Sequence, residues 1–179
     1  MTITYKFSGH ESFPCKSLWL KKGYDFVANK NNFNSPDAVI TLGVGKNMVS
    51  SIRFWLRAFG ITDNDVLTEL GNYLFGESRG KDKYLEDIAT LWLLHFNLVF
   101  SEEATLYQMF FCGVQKERTN FEREQVLTYV KLRMVEAGKM GSPDKPRGLS
   151  IQPCKSEKEE PYIRHSSQGR SECLYLRIE

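Results

Sequence analysis

The sequence predicts a mainly α-helical protein, with a helix-turn-helix unit in its N-terminal half and a helical bundle-like region after it. Three observations lead there. Apolar residues recur at the spacing of one buried helical face in several segments between positions 16 and 137. A double-glycine break, Gly43-Val44-Gly45, separates a short helical stretch from a longer one. Beyond Gly60, a short polar turn leads into Leu67-Thr68-Glu69-Leu70-Gly71, where helical periodicity restarts.

Size and composition bound the answer. A chain of 179 residues makes one domain of ordinary size or two small ones, long enough to bury a core. With 41% hydrophobic, 13% aromatic and 26% charged residues, it has a soluble globular profile. The apolar run at 91–94 is interrupted by His95 and Asn97, well short of the roughly 20 residues a membrane span needs. Residues 1–7 lack the basic and apolar regions of a secretory signal, so a cytoplasmic location is expected, with no membrane partner. Cys15, Cys112, Cys154 and Cys173 are scattered without a C-x-x-C pair and are expected as free thiols.

Taken in order, residues 16–27 read as a helix, with Pro14 in its first turn and Ser12 as a cap. The asparagine-rich stretch 29–36 reads as a loop, and 37–42 as a short helix. After the glycine break, Val49, Ile52, Leu56 and Phe59 mark a helix of about fourteen residues that Gly60 stops. Residues 61–66 fit a turn with a small strand on either side, and Thr68 is placed to cap the next helix. A charged loop at 76–83 precedes an amphipathic helix with Leu85, Ile88, Leu91, Trp92, His95, Leu98 and Val99 on its inner face. Another helix starts at Ser101 and aligns Ala104, Tyr107, Phe110, Phe111 and Val114. The last, over 121–137, aligns Leu127, Val130 and Met134. Residues 139–179 hold four of the six prolines and sustain no period, so they read as a poorly ordered tail with at most one short strand at 173–178.

Charge is unevenly distributed. The first sixty residues carry eight Lys/Arg against three Asp/Glu, whereas 61–138 carry eight against thirteen. A polyanion is therefore expected to meet the N-terminal third. There the helix-turn-helix lies: Val44 plugs the angle between the helices, and burial of Val49, Ile52 and Leu56 turns the polar side of the second helix outward. Lys46, Asn47 and Ser50, near its start, are placed to meet base edges of double-stranded DNA, with Ser51 beside them and Arg53 and Arg57 farther along to grip phosphate. The segment after Gly60 resembles the wing of winged-helix domains, which makes residues 1–76 a winged-helix-like unit. This wing is short, and Asp63 and Asp65 oppose contact with phosphate. Protein-only docking is the competing use of the same geometry. A Walker loop is excluded, because Ile40 stands where its first glycine belongs and Asn47 follows Lys46.

Catalytic and metal chemistry find little support. His10, Glu11 and Cys15 would form an acid/base or nucleophilic site only if they lined one concave pocket. His95 reads as a core histidine, and Glu86-Asp87 as a complement to a helix dipole. No metal-spaced cluster occurs, so neither a metal nor another cofactor, nor an enzymatic activity, is expected.

The stretches Phe7-Ser-Gly-His-Glu-Ser-Phe-Pro-Cys15, Trp19-Leu-Lys-Lys-Gly-Tyr24, Leu42-Gly-Val-Gly-Lys-Asn-Met-Val49, Ile52-Arg-Phe-Trp-Leu-Arg-Ala-Phe-Gly60 and Tyr84-Leu-Glu-Asp-Ile-Ala-Thr-Leu-Trp-Leu-Leu-His95 together resemble the prokaryotic domain-of-unknown-function family DUF4007. The resemblance covers roughly residues 5–138. It implies an accessory protein linked to DNA phosphorothioation and anti-phage defence, with defence or DNA-modification proteins as further partners and no assigned reaction. Members usually continue into another helical part, a pattern from which this chain departs after about residue 138. The expected organisation is a DNA-binding region at 1–76, a helical platform at 77–138 and the tail at 139–179. A non-catalytic adaptor for a modification or restriction enzyme is the alternative function.

Overall fold

Helix α1, Trp19–Ala28, starts three residues later than its apolar pattern suggests. Leu18 takes a left-handed conformation, φ 66°, so the preceding residues cannot continue the helix. The computed structural model describes residue 6 and residues 9–11, 13–16, 18–117, 122–136, 149–153 and 174–178, so the expected Ser12 cap lies outside the described residues. Gly23 on α1 lets it lie close to the next long helix. A Cβ there would stand 2.7 Å from Leu56 Cδ1 and 2.8 Å from Ile52 Cγ2.

Helices α2, Ala38–Leu42, and α3, Lys46–Ala58, follow. All three helices end alike, in a left-handed residue whose successor donates its amide to the carbonyl five residues back around the turn. Asn31 N reaches Phe26 O at 3.2 Å after Lys30, Val44 N reaches Val39 O at 3.2 Å after Gly43, and Ile61 N reaches Leu56 O at 2.8 Å after Gly60. Val44 packs against the core, as the helix-turn-helix pattern requires.

Strands β1, Thr62–Asp63, and β2, Val66–Leu67, form an antiparallel pair with Thr62 opposite Leu67 and Asp63 opposite Val66. Asn64 and Asp65 both have positive φ, the requirement of a two-residue hairpin turn. The Thr68 hydroxyl accepts from Gly71 N at 3.1 Å and donates to Gly60 O at 2.7 Å. One side chain thereby caps α4, Glu69–Phe75, and ties it to the end of α3.

Asp82 organises the entry to α5, Ile88–Phe100. Its buried carboxylate accepts from Glu86 N at 2.9 Å and Asp87 N at 3.0 Å, while Asp87 caps Ala89 N at 2.9 Å. The inner face of α5 differs from the expected one: Thr90, Leu94, Leu98 and Val99 are buried, whereas Ile88 and Trp92 are exposed. This helix has no charged residue, so apolar spacing alone could not choose a face.

Chain 105–117 is one helical rod in three parts: α6, Thr105–Met109, a π-helical turn, Phe110–Val114, and α7, Gln115–Glu117. Ser101 does not cap it. Its hydroxyl accepts from Glu103 N at 3.1 Å instead, closing a local turn ahead of the helix. Helix α8, Arg123–Glu136, buries Val126 and Val130, with Leu127 and Met134 packed alongside. Strands β3, Leu149–Pro153, and β4, Leu174–Ile178, pair antiparallel, where one short strand was expected. The pairing joins residues some twenty-five positions apart, which local pattern does not encode. The remainder of the expected tail lies outside the described residues.

The protein is thus mainly helical, with two apolar clusters. The larger unites α1 to α5 and includes Leu94, Leu98 and Ala104, so it runs past the boundary expected at residue 76. The smaller joins α6 and its π turn to α8.

Gly43 offers a clean test of turn geometry, since a Cβ added there meets nothing within 4 Å. Gly43→Ala should cost about 1–2 kcal/mol through its left-handed φ alone, read by urea denaturation. Burial by itself would raise the Asp82 pKa, but amide donors from Glu86, Asp87 and Leu85 and the Thr90 hydroxyl outweigh it and hold the carboxyl below its ordinary range. The resulting stability is complete above the unfolded value of about 3.9 and is lost as pH falls through the lower folded value. Asp82→Asn should therefore destabilise the protein by about 1–3 kcal/mol at neutral pH and shrink the loss seen on acidification. Thermal midpoints of the two proteins from about pH 6 to pH 3 report both effects.

Candidate nucleic-acid interface

A glycine turn leads into α3, whose apolar side is anchored in the core from its first turn onward. Val49 and Ile52 are buried on that side, and Gly43 and Gly45 on the approach to the helix are exposed. Gly45 at the N-cap supplies no side-chain hydrogen bond, so the first amides of this thirteen-residue helix stay available to an acceptor. Lys46, Asn47 and Ser50 are all exposed on this turn. Lys46 forms no ion pair among the described residues.

The other three expected contacts sit differently. Ser51 is fully buried, and its hydroxyl donates to Phe13 O at 3.4 Å, so it faces the N-terminal segment rather than solvent. One residue on a helix turns a side chain by about 100°, which separates Ser51 from its neighbour Ser50. Arg53 makes a two-pronged bond to Asp65, Nε to Oδ1 at 2.9 Å and Nη2 to Oδ2 at 2.5 Å. It also donates to Asn34 Oδ1 at 3.0 Å and lies over the Phe33 ring. The guanidinium therefore fastens the hairpin turn and the 29–36 loop to α3, and it cancels the Asp65 charge that would repel a phosphate. Arg57 is 3.8 Å from Glu103, which is also bonded to Lys6 at 2.5 Å. Sequence spacing could not reveal these partners, because acid and base lie 12 and 46 positions apart.

His10, Glu11 and Cys15 fall into unlike surroundings. His10 is buried beside the Phe54 and Trp55 rings, at 5.6 and 5.9 Å between centroids, whereas Glu11 is exposed. Cys15 packs against the larger core, and burial pushes its thiol far above the ordinary range. A neutral thiol of this kind is a poor nucleophile. Tyr107 is shifted upward as well, by burial first and by its proximity to Cys15 second. His95 is half-buried, with its ring edge-on to Phe111 at 4.5 Å. Among the described residues, no three His, Cys, Asp or Glu side chains gather to hold a metal ion, and no helix is long and apolar enough to cross a membrane.

Two features escaped the sequence reading. One is the exposed apolar side of α5, with Ile88, Phe96 and Phe100 at 67%, 60% and 55% exposure. The other is an open pocket between α4 and the loop that follows it.

The chain is similar to two solved structures. The one named "SspB crystal structure" is 36% identical, with a TM-score of 0.48 over 55% of this chain and 32% of that one. The one named "Magnesium ion-bound SspB crystal structure" is 35% identical, with a TM-score of 0.47 over the same shares. This chain accordingly spans about a third of the length of those proteins. No curated protein matches it. Residues 7–145 match the family described as "Protein of unknown function (DUF4007)", and the chain belongs to that family.

Proposed function

We propose that this protein binds double-stranded DNA through the first turn of α3, in a winged-helix-like arrangement with the β1–β2 hairpin beside it. Its role would be that of an accessory protein in a prokaryotic DNA-modification or anti-phage defence system, acting by recruitment rather than chemistry. The observation that carries this reading is the joint exposure of Lys46, Asn47 and Ser50 at a helix start whose amides lack a side-chain cap. A cation, a bidentate amide and a hydroxyl around a positive helix end suit a phosphate and the adjacent base edges. The tethering of Arg53 and Arg57 shifts their part from gripping DNA to holding the turn and the helix in place. The link to phosphorothioation and phage defence rests on the family resemblance.

The apolar side of α5 favours a second reading, an adaptor that docks on a modification or restriction enzyme. Its exposed Ile88, Phe96 and Phe100 are too large to be indifferent to water.

Gel shifts of duplex DNA over a salt series separate the two. Binding should weaken steeply with salt, Lys46→Ala should lower the log–log slope by about one, and Asn47→Ala should weaken one set of sequences by about 1–3 kcal/mol. Arg53→Ala should leave that slope nearly unchanged while lowering stability by about 1 kcal/mol in urea denaturation, since its charge already serves Asp65. Absence of a shift even at low salt would reject the DNA reading. In that event, enzyme co-purification that survives Lys46→Ala and is abolished by Phe96→Asp would establish the adaptor.

A further inference from the structure

The exposed side of α4 and the loop after it enclose an open pocket of about 790 Å³ that the duplex-binding reading leaves unused. Glu69, Asn72, Tyr73, Ser78, Arg79 and Lys81 line it. The loop wall is held firmly. Gly80 N donates to Gly76 O at 2.8 Å, Lys81 N to Tyr73 O at 2.9 Å and Asp82 N to Leu74 O at 3.2 Å, while the Lys83 ammonium donates to Glu77 O. A Cβ at Gly80 would lie 2.5 Å from Gly76 O, so the closure needs glycine. Such a loop loses little freedom when a ligand arrives.

Its side chains are mostly donors. Arg79 and Lys81 are exposed and form no ion pair among the described residues. The Tyr24 hydroxyl donates to Asn72 Oδ1 at 2.9 Å, which leaves the two N–H groups of the Asn72 amide to act as donors. Ser78 adds a hydroxyl. Two cations, an amide and a hydroxyl suit an anion with several acceptor oxygens, and a guanidinium matches phosphate in particular. Tyr73, 55% exposed, adds a ring face beside these donors, and Glu69 adds one acceptor for sugar hydroxyls. A ring platform next to a cationic donor set has the polarity of a nucleoside phosphate.

We propose that this pocket binds a nucleoside phosphate, its phosphate on Arg79 and Lys81 and its base stacked on Tyr73. A free nucleotide and a nucleotide within a single strand share this chemistry.

Titration of the full chain, followed through the backbone amide resonances of Gly80 and Lys81, tests the proposal with four probes: AMP, adenosine, inorganic phosphate and a 5′-phosphorylated trinucleotide. AMP should shift these amides saturably, with adenosine and phosphate each at least about tenfold weaker. Arg79→Ala combined with Lys81→Ala should weaken AMP about tenfold or more, and Tyr73→Ala should weaken AMP while leaving phosphate unchanged. All three side chains are exposed, and unchanged thermal midpoints would confirm intact folding. Tighter binding of the trinucleotide than of AMP assigns a strand as the source, and the reverse order assigns a free nucleotide. Lys46→Ala should leave the AMP titration unaltered, which separates this site from the α3 interface. No AMP-dependent shift up to about 10 mM, or an affinity indifferent to the double substitution, would overturn the assignment.

Discussion

Burial of Trp55 is the constraint on which the rest of the architecture depends. Its indole is 2% exposed, donates to Phe13 O at 3.0 Å, and is surrounded by Phe54, Phe59, Tyr107 and His10. Contacts with the N-terminal segment and α6 thus converge on one side chain of α3. To satisfy them, α3 buries Val49, Ser51, Ile52, Phe54, Trp55, Leu56 and Ala58, far more than a single stripe. Its exposed residues, Lys46, Asn47 and Ser50, all lie near its start. The rigidity of a helix anchored so widely is what allows a short turn to be presented as a defined surface.

The same packing rearranges the charge. Along the chain, cations are spread evenly, whereas carboxylates are scarce before residue 60 and frequent after it. Folding brings Lys6 and Arg57 to Glu103 and Arg53 to Asp65, so part of the linear asymmetry becomes internal ion pairing. These pairs are half-exposed, and their main effect is positional: they hold the hairpin turn and the start of α6 against α3. Lys46 stays outside this network. Fewer cations are therefore left without a carboxylate partner than the count of basic residues suggests.

Three kinds of surface coexist. The start of α3 is polar and cationic, the outer side of α5 is apolar and uncharged, and the pocket beside α4 is rich in hydrogen-bond donors. Asp82 supports two of them, since its backbone closes the pocket loop and its carboxylate starts α5. A perturbation at Asp82 would be felt on both sides.

What the sequence determined by itself was local. The α2–turn–α3 motif, the stop at Gly60, the small hairpin and the Thr68 cap were all legible, because each depends on the conformational preferences of residues within a few positions of one another. Tertiary structure decided what depends on distant neighbours. The late start of α1, the inner face of an almost uniformly apolar α5, the burial of Ser51 beside exposed Ser50, and the partners of Arg53 and Arg57 belong to that group. Hydrophobic spacing ranks faces only when a helix has a polar side to contrast with an apolar one. Ion pairs across 12 or 46 positions exist only after the core has brought their elements together.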